Sequence, residues 1–312
     1  MRSTEDSNLT LGEFRELFQT VSTWGRWGES DQRGALNRLT PNGVAAAASL
    51  IRAGTTVSLS LPMNTEPGID NPDPADHHMT MLFDSDTGSG PLRFAKDYIG
   101  ADYHNDSHTH IDALCHVAFD GFLYNRVPSE SVSSAGAARD AIEVAKDGIV
   151  GRGVLLDVPR ARGVPWLEPG EHAFREDLEA AEREQAVTVR AGDILLIRMG
   201  HQHRLAERGA WDTVHAKAGL HPTTALFLSE REIAVLGSDG NSDTAPSTTE
   251  TVGFPMHALA LNAMGVHLLD YLYLEDLAEA CARAGRWEFF FMTAPLRIVR
   301  GTGSPVNPIA IL

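Results

Sequence analysis

Blocks of apolar and polar positions along this chain switch between helical and strand periods. Residues 40–54, TPNGVAAAASLIRAG, open on Thr40 as a cap, carry Pro41 in the first turn and stop at Gly54, which predicts a helix. TTVSLSLPM follows and predicts a strand. Residues 65–103 are rich in Pro, Asp and Gly and predict a loop, with His77 and His78 on its surface. Next, AARDAIEVAKDG predicts a helix and GVLLDV a buried strand. REDLEAAEREQ predicts an exposed helix, and AGDILLIRMG a strand entered by a Gly-Asp turn. TTALFLSEREI predicts a helix, AVLGSDG a strand running into a polar turn, and PMHALALNAMG a short helix from Pro255 to a stop at Gly265. VHLLDYL predicts a strand, LEDLAEACARAG a helix and WEFFFMTAPL a buried strand. This mixture predicts an α/β fold with a large sheet.

Composition narrows the partners. A chain of 312 residues with 43% hydrophobic content can bury a sizeable core. Its formal charge of −16 disfavours nucleic acid and anionic membrane surfaces, which select basic patches, and says little about a small-molecule substrate, whose site can be locally positive or hold a cation. Two cysteines, Cys115 and Cys281, are too few for a disulfide framework; both are expected to be reduced, and the protein cytoplasmic. The start, MRSTEDSNLTLGEFRELF, lacks a long apolar run, and no apolar stretch reaches the ~18 residues of a membrane span.

The chemistry concentrates in YHNDSHTHIDALCH. Four of the thirteen histidines lie between His104 and His116. From 104 to 112 the even positions read His104, Asp106, His108, His110, Asp112. Residues two apart share one face of a strand, so all five ligand-type side chains would line it. At ~3.3 Å per residue the stretch is too long for one ion to hold them all, but neighbours such as His110 and Asp112 can share one. DALCHVAF then suits a helix with Asp112 as N-cap, one turn of which returns His116 to the side of Asp112. Imidazole and carboxylate together suit Zn²⁺, Mn²⁺ or Fe²⁺. The alternative is a solvated polar loop in which Asp112 only caps a helix.

The spacing His110-x-Asp112-x-x-x-His116 resembles the metal-dependent cyclase / kynurenine formamidase-like hydrolase family (isatin hydrolase-like), in its longer bacterial branch. WGRWGESDQRGALNRLTP, VLLDVPRARGVPWLEPG, VLGSDGNSD and GFPMHALALNAMGVHLLDYL are similar to it as well, and the likeness runs from about residue 24 to 310. The resemblance implies one cyclase-like domain over residues 1–312, a swivelling β/β/α fold with a mixed sheet, flanking helices and a helical extension over about residues 1–50. It also implies a homodimer or homotetramer with a divalent metal, Zn²⁺ or Mn²⁺. His110 and Asp112 match metal ligands, and His116 matches the histidine proposed as general acid/base. His257 matches a further histidine of the metal site, and Asp270 falls where members usually carry Glu. The family signature, His-x-Gly-Thr-His-x-Asp-x-x-x-His, is broken at its first histidine, which is Asp106 here; His104 or His108 could stand in.

The implied activity is hydrolysis of a cyclic amide or an N-formyl group. Trp24, Trp27, Phe119, Phe122 and Tyr124 are candidates for an apolar substrate wall, with core packing as the other reading. GTGSPVN could offer backbone amides to an anionic group or be a plain turn. Two rivals share the same residues: a cyclase, dehydratase or lactone hydrolase, and a non-catalytic metal- or ligand-binding protein. The Asp-Thr-Gly in DSDTGSG, residues 84–90, has no second copy and reads as a polar turn. Neither Gly-x-Ser-x-Gly, His-Glu-x-x-His nor a phosphate-binding glycine loop occurs.

Overall fold

A computed structural model describes residues 8–84 and 87–312. Residues 1–7, and Ser85 and Asp86 of the expected polar turn, lie outside the described residues. Nine strands make one mixed sheet: β1 (Thr56–Ser58), β2 (His110–Asp112), β3 (Ile149–Asp157), β4 (Ile194–Arg198), β5 (Val235–Ser238), β6 (His267–Asp270), β7 (Glu288–Thr293), β8 (Gly303–Pro305) and β9 (Ile309–Ile311). Their order is β1-β9-β7-β3-β4-β5-β6-β2-β8. β3 to β6 run parallel, and the strands outside them pair antiparallel.

The parallel centre explains the apolar runs. Helices cover the connections between β3, β4, β5 and β6, so these strands are buried on both faces. Val154, Leu155, Leu156, Ile194, Leu195, Leu196, Ile197, Val235 and Leu236 have no exposed surface. β7 differs from its expected full burial: Phe289 and Phe291 face the core while Met292 is exposed. The N-terminal helix Leu11–Val21 is held by a capping box between Thr10 and Glu13 and buries Phe14, Phe18 and Val21.

Three local expectations are corrected. Residues 65–103 are not all loop, because Asp76–Met81 and Lys96–Gly100 form an antiparallel hairpin. Its strands are solvent-exposed along nearly their whole length, so no core-facing alternation marks them. AARDAIEVAKDG forms only a four-residue 3₁₀ turn, Ile142–Ala145, since Asp140 sits at φ +60° and Ala141 is extended. DALCHVAF forms no helix. The amide of Ala113 donates to the Thr302 carbonyl and that of Cys115 to the Asp140 carbonyl, leaving one tight turn closed from His116 to Ala113.

A close approach of two glycines steadies the site from behind. Gly34 and Gly265 both have positive φ, and a Cβ on Gly34 would stand 2.2 Å from the Gly265 carbonyl oxygen. That oxygen accepts from Ala35 N at 2.7 Å, tying residues 34–38 to the end of the buried helical segment that carries His257.

Asp140, whose carbonyl anchors the His116 turn, is fully buried with both carboxylate oxygens unpartnered. Burial pushes its pKa up to about 7 against the opposing charge of Arg139. The folded value lies above the unfolded ~3.9, so its contribution is present below about pH 4 and is lost as pH rises through 7. Asparagine tolerates the positive φ and does not titrate. Between pH 5 and 8, wild type is therefore expected to lose about 1–3 kcal/mol relative to Asp140→Asn in urea denaturation. Parallel stability curves for the two proteins would contradict this assignment.

Candidate metal centre

β2 realises the two-residue periodicity read from the sequence. His110 and Asp112 share a face, and the register sets Asp270 of β6 directly opposite His110. Asp112 is fully buried, and neither of its oxygens has a hydrogen-bond partner. Around it converge His104 Nδ1 at 2.8 Å, His110 Nε2 at 3.5 Å and His257 Nε2 at 3.5 Å. The His104 contact is close, yet both atoms remain without an aligned hydrogen bond. A ring nitrogen of His116 lies within 4.8 Å of ligand atoms of Asp112 and His257, so Asp112 is common to two triads: His104–His110–Asp112 and Asp112–His116–His257.

Outer contacts fix which nitrogens face inward. His110 Nδ1 donates to the His108 carbonyl at 2.7 Å, which leaves the Nε2 lone pair for the centre. His257 Nδ1 lies 2.5 Å from Asp243 Oδ2, so its Nε2 points at Asp112 and, at 3.4 Å, at Asp270 Oδ2. Asp243 also accepts from the amides of Met256 and His257, anchoring the start of that helix. His104 Nε2 contacts Thr302 Oγ1 at 3.0 Å, and its ring stacks on His116 with centroids 3.9 Å apart.

The electrostatics separate the two carboxylates. Burial opposes charge on Asp112, but the contact with His104 and the fields of His116, His110 and His257 hold it below the usual carboxylate range. Burial raises Asp270, against the hydrogen bond from His257. Burial also pushes His116 down to about 4, against the attraction of Asp112, so the free imidazole is neutral at pH 7. Carboxylate oxygens without aligned hydrogen bonds at the convergence of several imidazole nitrogens suit a cation, and the donor set fits a divalent metal.

The other sequence candidates are distributed as follows. Among the three ways to replace the signature's first histidine, it is His104 that reaches Asp112. Asp106 instead pairs with buried Lys217, whose Nζ lies 2.8 Å from Oδ2 and also donates to Tyr271 Oη at 3.1 Å. His108 turns aside: Nδ1 meets Asn105 Oδ1 at 2.9 Å, and Nε2 is buried without a partner. Residues 104–108 are bends rather than strand, so the even-position face ends at His110.

A cavity of about 200 Å³ lies against His104, His110, His116, His257 and Asp270, with Phe254 also in its wall. None of Trp24, Trp27, Phe119 and Tyr124 lines it. Tyr124 is fully buried against Gly265, which corrects its expected place in a substrate wall. Trp27 lies beneath Arg26 and Arg38. Trp24, Phe119 and Phe122 cluster with Phe18 at a separate cavity of about 450 Å³. Within GTGSPVN, Gly303–Pro305 forms β8, and Thr302 supports His104.

Sequence reasoning missed Asp243, Lys217, Tyr271 and Thr302. Asp243 was within reach, because VLGSDGNSD sets acids in a polar turn directly after a buried strand. The other three carry no local signal; long-range folding alone brings them to the site.

Comparison with known proteins gives a consistent picture. The family model "Putative cyclase" matches residues 57–243. The structure of a "novel cyclase" is 34% identical, with a TM-score of 0.84, over 93% of this chain and 99% of that one. An isatin hydrolase bound to the product analogue thioisatinate is 20% identical, with a TM-score of 0.60, over 87% and 97% of the two chains. A "predicted metal-dependent hydrolase from Bacillus stearothermophilus" is 16% identical, with a TM-score of 0.51, over 82% and 97%. A search of curated proteins gave no match. The mixed sheet with flanking helices is the fold these structures share. Among the described residues, no helix is long and apolar enough to cross a membrane.

Proposed function

The chain belongs to the cyclase family, and on that premise we propose that it is a metal-dependent hydrolase of amide-type C–N bonds, acting on a cyclic amide or an N-formyl group. The observation that carries this reading is Asp112, buried with two unpartnered oxygens among four histidines. His104, His110 and Asp112 would hold the cation, with His257 and Asp270 on its other side. When bound, such a cation supplies Lewis acidity and brings the pKa of water toward ~7.

The chain's own groups do the rest. Neutral His116 accepts the proton of the attacking water on a ring nitrogen and returns it to the leaving nitrogen. Stacking on His104 fixes the plane of its ring. Asp243 holds His257 in one tautomer. The cavity beside these groups is of a size to admit a small organic substrate.

A cyclic amide is favoured because the isatin hydrolase, a structural neighbour, is named for one. A second reading, ring closure or dehydration, draws on the relative described as a novel cyclase. The chain reconstituted with Zn²⁺ or Mn²⁺ is expected to open cyclic amides or release formate from aryl formamides. Chelation should remove the activity and added metal restore it. Turnover only in the ring-closing direction, or none on amides, lactones and formamides, would overturn the hydrolase reading.

A further inference from the structure

A second cavity, of about 350 Å³, adjoins the first, and Asp106 lines both. Its walls include the apolar side chains of Leu61, Met63, Leu205 and Trp211. One polar ring faces it from a buried position, that of His201, which is 6% exposed. The ring is held firmly. Trp211 lies against it with centroids 4.6 Å apart, and Tyr271 meets it edge-on at 6.1 Å. Its backbone is pinned by Asp239, whose carboxylate accepts from the amides of Met199, Gly200 and His201 at 2.8–3.0 Å. Among the described residues its ring nitrogens have no hydrogen-bond partner, and neither is sealed from solvent, so this ordered ring can bond to a ligand in the cavity.

The surrounding charge describes that ligand. Burial, then the nearby Lys217, pushes His201 down to about 4, so it offers one donor and one acceptor without charge. Lys217 is neutralised by Asp106, and Arg204, which lies over the Trp211 ring, by Glu168. Among the described residues no uncompensated cation lines the cavity, and the carboxylate of Asp70 in its wall repels anions.

We propose that this second cavity binds the uncharged aryl or amide-bearing arm of the substrate, with His201 as its hydrogen-bonding partner and Trp211 holding His201 in place. This rests on the hydrolase reading for the role of the arm, though not for the binding itself. The substrate is then a two-part molecule. Its scissile group lies at the histidine–aspartate cluster, and its neutral arm passes Asp106 to reach His201. Both residues are specificity determinants and take no part in bond making.

Isothermal titration of the full chain with benzamide tests this, with benzoate as the charged control. Wild type should bind benzamide at least tenfold more tightly than benzoate, and prior chelation of metal should leave benzamide binding within twofold. His201→Phe keeps the ring but removes both nitrogens, and should weaken benzamide at least tenfold. Leu205→Trp, which fills the cavity while keeping the His201 nitrogens, should do the same and serves if His201→Phe fails to fold. No binding to wild type, undiminished binding to a folded His201→Phe or Leu205→Trp, or loss of binding on chelation would each overturn the proposal. Because the readout needs neither metal nor turnover, absence of amide hydrolysis with this pattern intact would count against the hydrolase reading alone.

Discussion

Turnover by His116→Ala is expected to fall about 10²- to 10⁴-fold, the usual contribution of a positioned acid/base group, while metal content stays at the wild-type level. The split follows from geometry. His116 belongs to a triad with Asp112 and His257, but Asp112 has a second triad, His104–His110–Asp112, that does not need it. The parallel stack on His104 supports the ring without placing it at the closest contact to Asp112. The check is kcat together with elemental analysis on the same preparation. Stoichiometric loss of metal would make His116 a ligand and remove the proposed base.

Asp112→Ala is expected to have the larger effect: metal and activity both disappear. In the apo chain the surrounding histidines outweigh burial and favour the charged Asp112 carboxylate, so removing it also costs the metal-free fold stability. The wild-type chain should gain thermal stability as Zn²⁺ or Mn²⁺ is added, by about 2.7 kcal/mol at a hundredfold excess over Kd. Asp112→Ala should show no such gain and, without metal, should melt below apo wild type. A metal-dependent shift surviving in the variant would place the cation elsewhere. Asp106→Ala, by contrast, should keep its metal, because Asp106 is engaged by Lys217.

The parts legible in the sequence are those decided by local pattern. The apolar runs of β3, β4 and β5 read as strands, and they form the sheet's buried parallel centre. The alternation through His110 and Asp112 survives because β2 is a real strand, held between β6 and β8. Expectations failed where distant backbone groups captured the local donors. The amides of Ala113 and Cys115 are taken by the Thr302 and Asp140 carbonyls, so the expected helix becomes a turn that still brings His116 back. The same reasoning could not choose among His104, Asp106 and His108. That choice depends on Thr302, which supports His104, and on Lys217, which draws Asp106 away. The hairpin of residues 76–100 was hidden for a simpler reason, since a ribbon exposed on both faces leaves no hydrophobic imprint.

The central claim is that the histidine–aspartate cluster holds a divalent cation. The most direct measurement is elemental analysis of the wild-type chain and Asp112→Ala, each stripped with chelator, reloaded with Zn²⁺ or Mn²⁺ and desalted. The predicted result is stoichiometric metal in wild type and a trace in the variant. Equal metal in both, or none in either, would contradict it.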